Sequence, residues 1–392
     1  MNVLVIPSWY PPNGGMFFVH QTQWLMDEGI QAAVIVAEEK SLRKFSLKSL
    51  KRDTRVMCTE EYGIRTCRKI RFRIPGMHRL NARLWIKTAS QLAEYYIHQN
   101  GKPDLIQAHS CMWGGYVAAV LRDRYGIPYV ITEHRGRFNE RSYFKQREIL
   151  RWQHPLLQKA LTGADAIIPV SERLIRVMEN IACRPLPCKP IPNPVDEEFF
   201  NGGTPQQRSD QFTEFLTITN FQPYKAINIL LEAFHQAIQQ KAEIRLRIAG
   251  EGNERPEYEA RAKTLGLNDR IIFMGHQTPQ EIRNLLHASD FLVLSSHNEG
   301  QPVSVGEAEL CGKPVICTDV VSKQDVPDFA GLLVETGNPK ALSEAMLFAH
   351  NHKNSFDNRT IRIFALGRFS RKAVIAEIIQ VMQSIVHTGT SQ

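Results

Sequence analysis

One stretch constrains this chain more than any other: Ser295 to Asp319, S-S-H-N-E-G-Q-P-V-S-V-G-E-A-E-L-C-G-K-P-V-I-C-T-D. The apolar run Phe291-Leu292-Val293-Leu294 before it reads as a buried strand, and Pro314-Val315-Ile316-Cys317 near its end as a second. Between them a loop must open a helix. Pro302 suits the first helical turn, where a missing N–H costs nothing, and Gly312 suits the exit. Glu299 then lies in the loop ahead of the helix and Glu307 inside it. Strand, loop and helix start in that order aim unpaired N–H groups and the positive end of the helix dipole at an anion. Two carboxylates flank this anion seat. A carboxylate repels a phosphate, so the pair suits hydroxyl groups on either side of it. A ligand with phosphates in its middle and hydroxyls at both ends is a sugar nucleotide. The plainer alternative is a surface helix that carries two acids.

The 392 residues are too many for one ordinary core and suit two domains of about 150 to 200 residues each. A hydrophobic content of 43% with 22% charged residues describes a soluble globular protein. No apolar run approaches the roughly 18 to 20 residues needed to span a bilayer. Met1-Asn2 leads straight into a strand-like run without a basic leader, so no signal peptide is expected. The 7 cysteines are scattered, with neither a metal spacing nor a disulfide framework. A cytoplasmic location is expected, on the membrane's cytoplasmic face if peripheral. The net charge of +8 is uneven: Lys40 to Thr88 holds 15 Lys and Arg against 3 Asp and Glu, and the rest sums to −4. A local anionic partner is implied rather than a generally basic protein.

Strand-like and helix-like runs alternate along both halves, which predicts a parallel sheet in each. Asn2 to Ile6 is a strand, followed by the turn-rich loop Ser8 to Gly15 and a helix carrying Phe17, Phe18, Gln21, Trp24 and Leu25. Residues 31 to 37 form the next strand. Lys40 to Arg52 is a basic amphipathic candidate, with Leu42, Phe45, Leu47 and Leu50 on one arc. It can lie on an anionic membrane surface or be a solvated insertion. Arg65, Arg68, Lys69, Arg71 and Arg73 extend the basic character, so the whole patch spans residues 40–87. No nucleic-acid module is present. Residues 81 to 99 look helical. The strand Pro103 to Ala108 delivers His109 to its carboxyl end, where ligands bind in α/β sheets. Pro128 to Thr132 similarly delivers Glu133, His134 and Arg135, with Arg137 and Arg141 beyond. Ala164 to Val170, Phe215 to Thr219, Ile244 to Ala249 and Arg270 to Gly275 read as further strands.

The Glu299 to Glu307 stretch resembles the E-x7-E region of the retaining glycosyltransferases of family 4, which have the GT-B fold. Ile191-Pro192-Asn193-Pro194-Val195-Asp196 resembles that family's interdomain passage, with Pro replacing the usual Gly at 194. Ala330 to Val334 resembles its G-L-L-V strand. The resemblance implies two Rossmann-like domains with parallel sheets facing across a cleft: an acceptor-side domain over 1–192 and a nucleotide-sugar domain over 193–368. A C-terminal helix, 369–392, would cross back to the first domain. It also implies roles. Glu299 and His109 would sit at the transferred sugar as the catalytic pair, and Glu307 would bind the ribose. Gly14, Gly15, Asn220, Lys225, Gly300, Gln301, Pro302, Val303 and Ser304 would surround the donor. Glu133, His134 and Arg135 would lie on the acceptor side. Asn220 stands where the family usually has an Arg on the diphosphate.

The implied reaction moves a sugar from a nucleotide donor, UDP- or GDP-linked, to a saccharide or lipid-linked acceptor hydroxyl. The setting would be bacterial surface polysaccharide or glycolipid assembly. No D-x-D sequence occurs, so no metal or other cofactor is expected. Glu299 and Glu307 are not a hydrolase pair, because a glycosidase needs one carboxyl group on each side of the scissile bond. The rival from another class is a non-catalytic sugar-nucleotide-binding or scaffold protein on the same fold. The lack of a dinucleotide fingerprint argues against a dehydrogenase.

Overall fold

The computed structural model describes residues 1–41, 55–134, 151–203, 212–240 and 242–389. Most of the basic amphipathic candidate, Arg135, Arg137, Arg141 and most of the polar, Gly-rich linker or surface loop expected over Asn201 to Asp210 lie outside the described residues. The chain forms two compact units, Met1–Ile191 with Ile375–Gln392, and Pro192–Val374.

The first unit holds β1 (Asn2–Pro7), β2 (Gln31–Ser41), β3 (Met57–Glu61), β4 (Ile64–Arg73), β5 (Leu105–His109), β6 (Tyr129–Glu133) and β7 (Ala166–Pro169). They lie in the order β3-β4-β2-β1-β5-β6-β7. The order reverses at β1. Strands β2 and β4 build to one side, and the chain then returns through a long helix to place β5 on the other. Helices α1 (Met16–Asp27), α2 (His78–Asn100), α3 (Tyr116–Tyr125), α4 (His154–Thr162) and α5 (Arg173–Ala182) complete the Rossmann-like unit. Its core is aliphatic: Leu4, Ile6, Ile35, Ile106 and Ile131 from the sheet pack with Leu92, Val117, Leu157 and Leu174 from the helices, all buried.

The second unit holds β8 (Thr213–Ile218), β9 (Ile244–Ala249), β10 (Ile271–Gly275), β11 (Phe291–Leu294), β12 (Val315–Thr318) and β13 (Gly331–Val334). Their order is β10-β9-β8-β11-β12-β13, and the pairs are parallel. This order reverses at β8. Its helices are α6 (Ile227–Gln239), α7 (Arg255–Thr264), α8 (Pro279–Ala288), α9 (Val303–Leu310), α10 (Pro339–Asn351) and α11 (Asn358–Arg368). The last helix, α12 (Arg371–Gly389), spans the boundary between the two residue sets. Strands buried on both faces need near-continuous apolar runs, which is why FLVL, VICT and LIQAH were legible as strands.

Two expectations change. The first sheet is not wholly parallel: β3 pairs antiparallel with β4 as an edge strand. Its sequence, MCTEE, is exposed or half-exposed throughout and carries no apolar alternation to reveal it. The cysteines do include a bonded pair, for Cys58 and Cys67 face each other in that register and form a disulfide. It removes the cysteine-based ground for expecting a reducing compartment. Among the described residues no helix is long and apolar enough to cross a membrane.

The basic strand is also less available than its composition implied. Arg68 is buried and donates to Glu38 at 2.7 Å and to Glu61 at 2.6 Å. Arg71 is buried and ion-paired with Glu39. These two cations are spent inside the protein, where a charge persists only with its partner. Arg68→Ala would leave Glu38 without its counter-charge and should cost about 3–5 kcal/mol in urea unfolding. Adding Glu38→Gln should recover part of that loss; equal stability of the wild type and Arg68→Ala would show the pair to be irrelevant.

Candidate active site

In parallel sheets, ligands bind beyond the carboxyl ends of strands where the strand order reverses. In the second unit that point lies between β8 and β11, which are hydrogen-bonded neighbours. The loop after β8 carries Asn220 and Lys225, and the loop after β11 carries Glu299. Residues 74 positions apart in sequence are therefore forced together. Lys225 Nζ donates to Glu299 Oε1 at 2.6 Å, and both side chains are largely buried. Ser296 Oγ donates to the same Oε1 at 2.6 Å. Further bonds lace the two loops: Ser295 Oγ donates to the Lys225 carbonyl at 2.9 Å and the His297 N–H to the Tyr224 carbonyl at 2.7 Å.

Helix α9 starts at Val303 with Pro302 as its N-cap, one residue later than the sequence suggested. Its first N–H groups have no partner within the helix. Gly312 ends it in the left-handed region at φ 72°, as expected of an exit glycine. Glu307 sits partly buried on the helix, and burial pushes its carboxyl up to about 7. Gln301 is buried and its Oε1 accepts from the Asn193 N–H at 3.2 Å and from Asn193 Nδ2 at 2.8 Å. That bond explains the I-P-N passage: Asn193 is anchored to the loop that carries Glu299. Gly300, Val303 and Ser304 are partly exposed around the helix start, and Asn220 is exposed. Asn220 supplies no fixed charge where the family usually has one. Glu309, which the sequence did not single out, is fully buried, and neither carboxyl oxygen has a hydrogen-bond partner. Burial drives its carboxyl well above the ordinary range, with Asp325 adding to the effect.

In the first unit the reversal point lies between β1 and β5, in register from Val3↔Leu105 to Pro7↔His109. The loop after β1 carries Gly14 and Gly15, and His109 is the last residue of β5. Gly14 and Gly15 adopt φ 88° and 89°, which disfavours any other residue. Gly114 lies so close to β1 that a Cβ there would come within 2.5 Å of the Ile6 carbonyl oxygen. His109 is fully buried, stacks on Phe18 with ring centres 4.3 Å apart, and places Nδ1 3.2 Å from His134 Nε2. Its Nε2 has no hydrogen-bond partner. Burial, then His134, drives its pKa well below the ordinary value, so the ring is neutral.

Glu133 is buried and accepts from Ser110 Oγ at 3.0 Å, from the Cys111 N–H at 2.7 Å and from the His134 N–H at 3.1 Å. It holds a loop whose Ser110 has φ 73°, an uncommon conformation for a residue with a side chain. The structure thus brings Lys225 to Glu299, and His109 to His134. Phe18 and Ser296 were not foreseen as site residues, since neither stacking nor a lone serine hydroxyl leaves a spacing to read. Among the described residues no group of three His, Cys, Asp or Glu side chains could hold a metal ion.

Two Rossmann-like units, with the E-x7-E helix start meeting a lysine at a strand reversal, define a glycosyltransferase of the GT-B class. The family described as "Glycosyltransferase Family 4" matches residues 16–199, and "Glycosyl transferases group 1" matches residues 204–362. The chain belongs to glycosyltransferase family 4. It is 27% identical over 376 residues to the putative teichuronic acid biosynthesis glycosyltransferase TuaC of Bacillus subtilis, covering 88% of each chain. It is 26% identical over 285 residues to a D-inositol 3-phosphate glycosyltransferase of Segniliparus rotundus, covering 67% of this chain and 61% of that one. Among solved structures, Anabaena HepE in complex with UDP matches with a TM-score of 0.74 at 19% identity, covering 98% of this chain and 100% of that one. Sucrose-phosphate synthase of Thermosynechococcus elongatus matches with a TM-score of 0.77 at 18% identity, covering 99% and 100%.

The raised carboxyl of Glu307 carries a sign. The folded state holds a proton there that the unfolded chain has already lost, so this stability is present at acid pH and is lost as pH rises from the carboxylate range through about 7. The stability of the wild type should fall relative to Glu307→Gln between pH 5 and pH 8 in matched denaturation curves. A constant difference across that range would contradict the assignment.

Proposed function

We propose that the chain transfers a sugar from a nucleotide-sugar donor to an acceptor hydroxyl with retention at the anomeric carbon, in the assembly of a bacterial surface polysaccharide or glycolipid. The observation that carries this reading is the 2.6 Å pair between Lys225 and Glu299 at the strand reversal. A diphosphate at the start of α9 would draw the Lys225 ammonium to itself and free Glu299 Oε1 for a sugar hydroxyl. One point charge with a helix start can carry the leaving charge, which offsets the lack of a cation at Asn220. Gly300 to Ser304 line the phosphate, and Glu307 takes the ribose hydroxyls. His109 has the role the family pattern gives it, beside the transferred sugar. The acceptor oxygen attacks the anomeric carbon, the bond to the diphosphate breaks, and the proton passes to the departing phosphate oxygen on the same face. The names of TuaC and the D-inositol 3-phosphate enzyme support a bacterial glycosyl acceptor, and HepE's complex with UDP favours a UDP-linked donor.

The two carboxylates should separate in kinetics. With UDP- and GDP-linked hexoses, Glu299→Gln should lower kcat by about 10²- to 10³-fold with the donor KM little changed. Glu307→Ala should raise the donor KM about tenfold with kcat largely retained. The opposite split would exchange their roles.

Membrane association is part of the same reading. Arg79, Arg83 and Lys87 recur at every fourth position of α2, are exposed, and make no ion pair among the described residues. Exposed Met77 and Leu84 lie beside them. Such a stripe suits a surface of anionic headgroups. Vesicles containing phosphatidylserine should bind the protein at low salt and release it as salt rises, whereas salt-insensitive binding or none would remove this element.

A further inference from the structure

Two donors of different kinds meet on one atom in the second unit. Glu299 Oε1 accepts from Lys225 Nζ and from Ser296 Oγ, each at 2.6 Å. The serine must be the donor in its bond, because an ionised carboxylate has no proton to give. Its length is that of a charge-assisted O–H bond. The two donors differ in how firmly they are held. Lys225 carries its ammonium on a flexible four-carbon stem. Ser296 is 2% exposed, and its hydroxyl hangs on a single carbon.

The sheet fixes the backbone at Ser296. Thr318 is the last residue of β12, is buried, and stands in register with Val334 of β13. Its Oγ1 donates to the Ser296 carbonyl at 2.6 Å. Two heavy atoms on the threonine Cβ restrict its rotamers, so that bond starts from a rigid point. Ser295, one residue earlier, donates to the carbonyls of Lys225 and Ala226 at 2.9 and 3.1 Å. The lysine's backbone is thereby held, which leaves its side chain as the part that moves. A line of hydrogen bonds thus runs from β12 through Thr318 and Ser296 to the carboxylate without passing through Lys225.

A diphosphate at the start of α9 draws Lys225 away from Glu299. Ser296 stays on Oε1 through that exchange. The aim of the carboxylate matters at that moment, since a misplacement of about 1 Å in a reacting site can cost about 10²-fold in rate. We infer that Ser296 is a positioning residue: it keeps the Glu299 carboxylate on the transferred sugar after Lys225 has turned to the diphosphate, and Thr318 anchors it. This deepens the donor-site reading above and rests on it. Ser296 acts through Glu299 and not on the donor itself.

The test is a double-mutant cycle on the full chain, with kcat measured on UDP- and GDP-linked hexoses and thermal stabilisation measured with UDP and GDP alone. Ser296→Ala should lower kcat about 10- to 100-fold, as the loss of a hydrogen bond to a charged group does, with the nucleotide's thermal shift unchanged. Ser296→Thr keeps the hydroxyl and should recover most of the rate. In Glu299→Ala, adding Ser296→Ala should cost nothing further, because residues that act as a unit are not additive. Thr318→Val should lower kcat in the same direction by less, and it carries the same cycle if Ser296→Ala does not fold. An unchanged kcat in Ser296→Ala would overturn the inference. So would a loss that adds in full to that of Glu299→Ala, or one matched by loss of the nucleotide's thermal shift, since either marks a merely structural role. If neither UDP nor GDP stabilises the wild type, the donor-site reading itself falls and this role falls with it.

Discussion

The adjacency of β8 and β11 is the constraint from which the candidate chemistry follows. Each strand ends in a loop, and only a reversal of strand order leaves space between two such loops. Because the strands are neighbours, the Lys225 turn and the Glu299 loop cannot avoid one another. The protein fixes their meeting with an ion pair and with backbone bonds to Ser295 and His297. The first unit repeats the device at β1 and β5 with neutral groups: His109, a stacked Phe18 and glycines that permit close approach.

How charge is buried separates architecture from function. Arg68 with Glu38 and Glu61 closes on itself, as does Glu133 with the Ser110 loop. Such groups fix geometry and offer nothing to a ligand. Glu307, Glu309, His109 and Arg71 are different. Each keeps a shifted titration, and the last three also keep polar atoms without partners. Perturbed groups of this kind gather at functional sites. Glu309 and Arg71 have no role in the reaction described above.

Much of this was legible in the sequence because buried parallel strands need apolar runs and helix boundaries need particular residues. FLVL, VICT and the Gly312 exit follow from those demands alone. The nucleotide-sugar reading came from two acids flanking a helix start. What stayed hidden has equally physical reasons. MCTEE has no buried face, so β3 left no pattern, and its pairing with β4 hid the Cys58–Cys67 bond as well. Arg68 and Arg71 looked like surface charge because composition cannot tell a solvated arginine from one paired inside. The link between Asn193 and Gln301 spans 108 positions, far beyond any local spacing.

The central claim is that the second unit binds a nucleotide diphosphate where Lys225, Glu299 and the start of α9 converge. The most direct measurement is a thermal-shift screen of UDP, GDP, ADP and their common sugar conjugates on the wild type and on Glu307→Ala, since a ligand that binds the folded state raises its stability by mass action. The account predicts a rise selective for one base, larger for a sugar conjugate, and lost in the variant. No rise with any nucleotide, or an equal rise in the variant, would contradict it.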